Sequence, residues 1–155
     1  MLLIADDLKE IDLILNTLNE PNLVSEVTVV RDGTEALDYL HHRGKYRDLS
    51  DEHPMVILLD FEMPQTDGIG ILMQIKFDEH LNRIPIVMLT SSSDTRDLKI
   101  CYQLGANAYV VKPLKYVDFI ERVKMIGIFW MTVNEPPPRN LNNKENERNS
   151  TNFTG

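Results

Sequence analysis

The sequence predicts an α/β fold in which five parallel strands alternate with five helices. Three observations carry that prediction. Short apolar runs recur along the chain at residues 2–5, 27–30, 56–59, 84–89 and 108–111. Each is followed by a stretch with apolar residues at helical spacing. The run Val56-Ile57-Leu58-Leu59 is apolar without alternation, as a strand buried on both faces of a parallel sheet should be, and it stops on a carboxylate, Asp60. Regular strand–helix alternation implies right-handed crossovers with helices on both faces. For five strands the flavodoxin-like, doubly wound order 2-1-3-4-5 is the natural choice.

Taken in order, residues 2–5 form a first strand ending in Asp6-Asp7, and residues 9–18 a helix with Ile11, Ile14, Leu15 and Leu18 on one face. Glu20-Pro21-Asn22 stops that helix. Residues 27–30 are the second strand, Asp32-Gly33 a turn, and residues 34–42 a helix with Ala36, Leu37 and Leu40 inward. A polar surface loop at 44–53 leads to the central strand. Pro64 and Asp67-Gly68 break the chain before a helix over 68–75. Residues 84–89 form the fourth strand. The hydroxyl-rich loop Thr90-Ser91-Ser92-Ser93-Asp94 follows, with Asp94 or Ser93 capping a helix that runs to about Leu104. Gly105-Ala106-Asn107 stops it. After the fifth strand at 108–111, Lys112-Pro113 precedes a helix over 116–130, whose inward stripe is read as Val117, Ile120, Val123 and Ile126 or Gly127.

A chain of 155 residues with 43% hydrophobic residues suits one domain with a real core. The expected division is a domain at 1–134 and a disordered tail at 135–155, where Pro136-Pro137-Pro138 gives way to Asn, Ser, Thr and charges. Net charge of −8 argues against direct nucleic-acid binding, because phosphate contacts need Lys and Arg. No run approaches a membrane span, and the first residues are too short and acidic for a signal peptide. With one cysteine, Cys101, at helical spacing from Leu98 and Leu104, the thiol is read as core and the chain as cytoplasmic. His41, His42, His53 and His80 are read as surface histidines, not a metal set.

Alone, Asp60 could be a turn residue or a helix cap. In the expected strand order, however, it shares the topological switch point with Asp6 and Asp7. Three carboxylates there repel one another. A hard divalent cation, by default Mg²⁺, resolves that repulsion. Thr90 ends the fourth strand and Lys112 the fifth. Separately they read as a loop cap and a surface lysine. Together they complete what acyl phosphate formation on Asp60 requires: a nucleophilic carboxylate, a metal, a hydroxyl and a cation.

The set Asp6-Asp7, Asp60-Phe61-Glu62-Met63-Pro64, Leu89-Thr90-Ser91 and residues 105–113 resembles the motifs of the response-regulator receiver domain of two-component signalling, over residues 2–131. The resemblance implies Asp60 as phosphoacceptor, and Asp6 and Asp7 as the acidic pair, with Asp7 the direct Mg²⁺ ligand. It implies the Glu62 backbone carbonyl as a further metal oxygen, Thr90 and Tyr109 as the switch pair, and Lys112 as the phosphate-binding cation. It also implies a cis bond at Lys112-Pro113, and Glu62 and Ser92 as residues that tune dephosphorylation. The stretch Leu40-His41-His42-Arg43-Gly44-Lys45-Tyr46 and the aromatic pair Phe129-Trp130 are similar to stand-alone receivers of the cyanobacterial phytochrome type, which serve histidine-kinase photoreceptors.

The function implied is that of a response regulator, a phosphoacceptor that promotes its own phosphotransfer and dephosphorylation, without an output domain of its own. The partners implied are a sensor histidine kinase and a downstream protein or histidine phosphotransfer protein. A homodimer is a further expectation. The helix end Ile126-Gly127-Ile128-Phe129-Trp130-Met131 is apolar on several sides, which marks Ile128, Phe129 and Trp130 as an interface unless the tail covers them. Three other readings remain. An aspartate-nucleophile phosphatase of the haloacid-dehalogenase kind would want Asp where Glu62 stands. A flavodoxin-like cofactor binder would meet repulsion from Asp6-Asp7. A receiver-like interaction module would work without phosphorylation.

Overall fold

Four of the five main helices begin on an aspartate. Asp7, Asp32, Asp67 and Asp94 each accept a hydrogen bond from a backbone N–H in the first turn, from Glu10, Glu35, Ile69 and Arg96 respectively. Each cap satisfies a donor that a helix start leaves open, worth about 1 kcal/mol. The structure, a computed structural model, describes residues 1–138 apart from 22, 24, 25, 51 and 65.

The elements are β1 (Leu2–Ile4), α1 (Leu8–Leu18), β2 (Thr28–Val30), α2 (Gly33–Leu40), β3 (Ile57–Asp60), α3 (Gly68–Lys76), β4 (Ile86–Thr90), α4 (Thr95–Gln103), β5 (Ala108–Val111) and α5 (Tyr116–Ile128). A 3₁₀ turn at Gly44–Tyr46 interrupts the loop after α2, and a miniature antiparallel ribbon pairs Glu62–Met63 with Thr66–Asp67. All pairings in the main sheet are parallel, in the order β2-β1-β3-β4-β5. The expected order 2-1-3-4-5 is therefore the observed one.

Alternation along the central strands sorts the core into two layers. Leu2, Ile4, Ile57, Leu59, Ile86 and Met88 point to the face covered by α2, α3 and α4, where they meet Leu40, Ile71, Leu72, Ile75 and Cys101. Leu3, Ala5, Leu58, Val87 and Leu89 point to the face covered by α1 and α5, where they meet Ile11, Ile14, Leu18, Phe119, Val123 and Ile126. Cys101 is fully buried, as a small apolar residue would be. On the same alternation Asp60 and Lys112 fall on the α1/α5 face, and Thr90 and Tyr109 on the other.

Two expectations about α5 need correction here. The inward stripe of α5 is Phe119, Val123, Ile126 and Gly127, spaced four, three and one apart, whereas Val117 is 68% exposed. Stepping back from Val123 in helical register lands on Phe119, so Val117 falls on the solvent side. The last helix also does not run on as α-helix to Trp130. It changes at Phe129–Val133 into a π-helical turn. Within that turn Trp130 is partly buried, packing against the α1/α5 core layer and against Phe129, ring centroids 5.1 Å apart. Ile128 and Phe129 remain about half exposed. Of the expected tail, residues 135–138 are among the described residues. Pro136, Pro137 and Pro138 line a small cavity with His53, Pro54, His80 and Pro85. The rest of it, residues 139–155, lies outside the described residues.

Candidate functional site

The site forms because β1, β3, β4 and β5 all end at one edge. Asp60, the last residue of β3, is 2% exposed. Its Oδ1 accepts from the Glu62 backbone N–H at 3.0 Å and from Lys112 Nζ at 3.1 Å. Oδ2 takes part in neither bond. Burial disfavours the charged carboxylate and pushes its pKa up to about 6. The Lys112 ammonium and the Glu62 N–H pull the other way, and the neighbouring Glu10 carboxylate adds to the rise.

Lys112 is shared. Its Nζ lies 2.8 Å from Glu10 Oε1 and 3.1 Å from Glu10 Oε2, while also holding Asp60. Burial opposes charge on this ammonium, but the Glu10 and Asp60 carboxylates outweigh it and hold its pKa above the ordinary lysine value. Glu10 stands in the first turn of α1. Acidic residues there usually read as helix-start residues, which is why sequence reasoning passed it over. What places it at the site is that α1 follows β1 after only three residues, so its first turn rises beside the strand ends.

On the opposite face, Thr90 is fully buried. Its Oγ1 donates to Glu62 Oε1 at 3.0 Å and accepts from the Ser92 N–H at 3.0 Å. Ser91 donates to Glu62 Oε1 through its N–H at 2.9 Å, and its Oγ lies 2.6 Å from each Glu62 oxygen. Glu62 Oε2 lies 3.9 Å from Lys112 Nζ. Partial burial works against the Glu62 charge, and the Ser91 and Thr90 hydrogen bonds overcome it, holding the carboxyl below its usual range. Tyr109 donates its hydroxyl to the Ser92 carbonyl at 2.9 Å, and Ser92 Oγ donates to Asp97 at 2.7 Å. The expected switch pair is thus linked through Ser92.

The acidic pair is less tightly gathered than expected. Asp6 is half-buried, and its backbone carbonyl accepts from Arg31 Nη2 at 3.0 Å. Asp7 is exposed, and its Oδ1 is occupied as the cap of α1. Among the described residues no three carboxylate, imidazole or thiol groups converge as a metal cluster. Lys112 neutralises Asp60, and the start of α1 neutralises Asp7. The donors themselves, aspartate oxygens and a backbone carbonyl, are the hard ligands that suit a divalent cation such as Mg²⁺. The expected cis bond at Lys112-Pro113 is not found. No peptide bond among the described residues is cis, and the trans form, intrinsically preferred before proline, already lets Lys112 reach Asp60.

Two further features frame the site. A groove between α1 and α5, lined by Asp7, Glu10, Asn16, Lys112, Tyr116 and Phe119, opens alongside Lys112. Gly68 lies against the end of β3. A Cβ there would sit 2.9 Å from the Asp60 carbonyl oxygen and from the Phe61 Cα. The histidines are elsewhere. His42 and His53 line a cavity with Met1, Thr28 and Met55 at the amino ends of the strands, and His41 pairs with Asp78 at 2.9 Å.

Comparison with known proteins agrees with this geometry. The family model of the response regulator receiver domain matches residues 2–124. The chain is 36% identical over 138 residues to the probable methanogenesis regulatory protein FilR2 of Methanothrix harundinacea, covering 88% of this chain and 86% of the relative. It is 34% identical over 131 residues to response regulator Rcp1 of Synechocystis sp., covering 84% of this chain and 88% of the relative. Among solved structures, the phosphorylated cyanobacterial phytochrome response regulator RcpA superposes with a TM-score of 0.80 at 36% identity, covering 88% of this chain and 97% of that one.

Proposed function

This chain belongs to the response regulator receiver family, and from that premise we propose that it accepts a phosphoryl group from a sensor histidine kinase onto Asp60 and signals through a phosphorylation-dependent protein–protein surface. The observation that carries the reading is a single buried carboxylate at a strand end, held through one oxygen by a lysine ammonium. Oδ2 of Asp60 attacks phosphorus in line, forming the O–P bond. The P–N bond to the donor histidine breaks, and the imidazole leaves with the electron pair. Lys112 balances the charge on the acceptor and can follow the transferred oxygens. Mg²⁺ held by Asp6, Asp7, Asp60 and the Glu62 backbone carbonyl supplies, when bound, neutralisation of the phosphoryl charge. Thr90 turns toward the new oxygens, and the change passes to Tyr109 through Ser92. Glu62 and Ser92 set how long the phosphoryl group lasts.

The likeness to RcpA, a phytochrome response regulator, supports a phytochrome-type photoreceptor kinase as the donor. A further protein or a histidine phosphotransfer protein receives the signal, and the setting is cytoplasmic. Half-exposed Ile128 and Phe129, together with exposed Met125 and Val133, support self-association through the end of α5.

The test is intact-protein mass after incubation with acetyl phosphate and Mg²⁺, for the native chain and Asp60→Asn. One base-labile phosphoryl group on the native chain alone is expected. Steady turnover of a phosphomonoester, or no gain in the native chain, would overturn the reading.

A further inference from the structure

Glu62 is a carboxylate two residues from another carboxylate, on a side chain 38% exposed and free to turn into water. It does not turn there. Three neutral donors hold it: the Thr90 hydroxyl, the Ser91 N–H and the Ser91 hydroxyl, at 3.0, 2.9 and 2.6 Å. Lys112 Nζ, the cation on Asp60, lies 3.9 Å from its second oxygen. A hydroxyl, a backbone N–H and an ammonium converging beside Asp60 form a site for an oxyanion, and hydrogen bonds to an ionised acceptor are the strong ones. In the unphosphorylated chain that site is filled by the chain's own carboxylate.

We propose that Glu62 is a built-in occupant of the phosphoryl site, an internal anion that a phosphoryl group on Asp60 has to displace before its oxygens reach the Thr90 hydroxyl, the Ser91 N–H and Lys112. This deepens the phosphoacceptor reading and rests on it. A phosphoryl group and a carboxylate cannot share the Thr90 hydroxyl or the Ser91 N–H, because each has one proton to give, and the two anions repel each other. Displacement couples two events. Thr90 exchanges its acceptor, and Ser91 loses its partner at the start of the loop leading into α4. The resting chain therefore holds the Thr90 hydroxyl turned toward an anion already, and Glu62 sets the threshold for replacing it.

The probe is beryllium fluoride with Mg²⁺, a tetrahedral stand-in for the phosphoryl group, titrated into full-length native protein, Glu62→Gln, Ser91→Ala and the double variant. Saturation is read by fluorine NMR of the bound species. Glu62→Gln keeps the shape and removes the charge, and is expected to lower the half-saturating concentration roughly tenfold, the scale of a lost charged hydrogen-bond competitor. Ser91→Ala removes only the hydroxyl contacts to Glu62 and is expected to lower it about threefold. Because both act through one contact, the double variant should bind no tighter than Glu62→Gln alone. A silent or additive Ser91→Ala would mean that Glu62 acts by charge at a distance and would overturn the displacement. Weaker binding by Glu62→Gln would make Glu62 a support for the bound anion and overturn it as well. Failure of all four proteins to bind beryllium fluoride would remove the phosphoacceptor reading, and the inference with it.

Discussion

On the α1/α5 face of the sheet, Asp60 meets Lys112 and Glu10, and the side-chain contacts are between charged groups. On the α2/α3/α4 face, Thr90 meets Glu62, Ser91 and Ser92, and the contacts are hydroxyl and backbone hydrogen bonds, with one carboxylate among them. Both anchors are buried, Asp60 at 2% exposure and Thr90 at 0%. The difference is in what each face can do. Paired charges in a low-dielectric site are costly to separate, so that face fixes the chemistry. The anchor of the other face is a neutral hydroxyl, which can exchange one acceptor for another without separating a pair of charges, so that face can rearrange.

The largest way to break the contrast is Lys112→Ala. It leaves two carboxylates without their cation, and about 3 kcal/mol of stability should be lost at pH 8, measured by urea unfolding. The sign with pH follows from Asp60. Its folded pKa of about 6 lies above the ordinary value of 3.8, so its charged form costs stability above pH 6 and the cost vanishes as pH falls toward 4. The deficit of Lys112→Ala should therefore shrink on acidification. A deficit that grows instead would show that the carboxylates are not the groups left unpaired.

Gly68→Ala attacks the joint between the faces. Its Cβ would press on the backbone of Asp60 and Phe61. A loss of about 1–3 kcal/mol is expected, with slower phosphoryl uptake, because the end of β3 has to move. Unchanged uptake rates would mean that the strand end tolerates the shift.

Glu10→Gln sharpens the charged side without dismantling it. Removing that carboxylate withdraws one cause of the raised Asp60 pKa. Attack requires ionised Asp60, so uptake should rise with pH through about 6 in the native chain and at lower pH in the variant, a shift read from the rate profile. Coincident profiles would remove Glu10 from the site.

The smallest effect belongs to the other face. Tyr109→Phe loses the bond to the Ser92 carbonyl, at a cost of about 1 kcal/mol. Phosphoryl uptake should be unchanged, while the chemical shifts of α4 on phosphorylation should be smaller than in the native chain. A slowed uptake would put Tyr109 in the chemistry itself.

The fold was legible because the central strands carry unbroken apolar runs, and because Asp60, Thr90 and Lys112 each stand at a strand end. Glu10 and the grip of Ser91 on Glu62 were not. A glutamate in the first turn of a helix has an ordinary local role, and only the approach of α1 to β5, 102 residues apart along the chain, gives it another. The aspects of α5 misread from sequence share a cause. A helical stripe says how residues are spaced, not where the register begins, so Val117 was exchanged for Phe119. A switch to π-helical geometry at Phe129 leaves no mark in a periodic pattern, so the α-helix was carried on to Trp130.

The partnership of Glu10, Asp60 and Lys112 has a consequence for synthesis. Asp60 leaves the ribosome with β1 and β3, yet its cation arrives only with residue 112, on a strand that joins the far edge of the sheet. Late, non-local closure of this kind is what makes parallel sheets slow to complete. A chain cut short before Ala108 holds its acceptor without the lysine that serves it. Under the proposed function, an acceptor without that lysine lacks its charge balance for phosphoryl transfer, so transfer is expected to favour chains in which the sheet is complete.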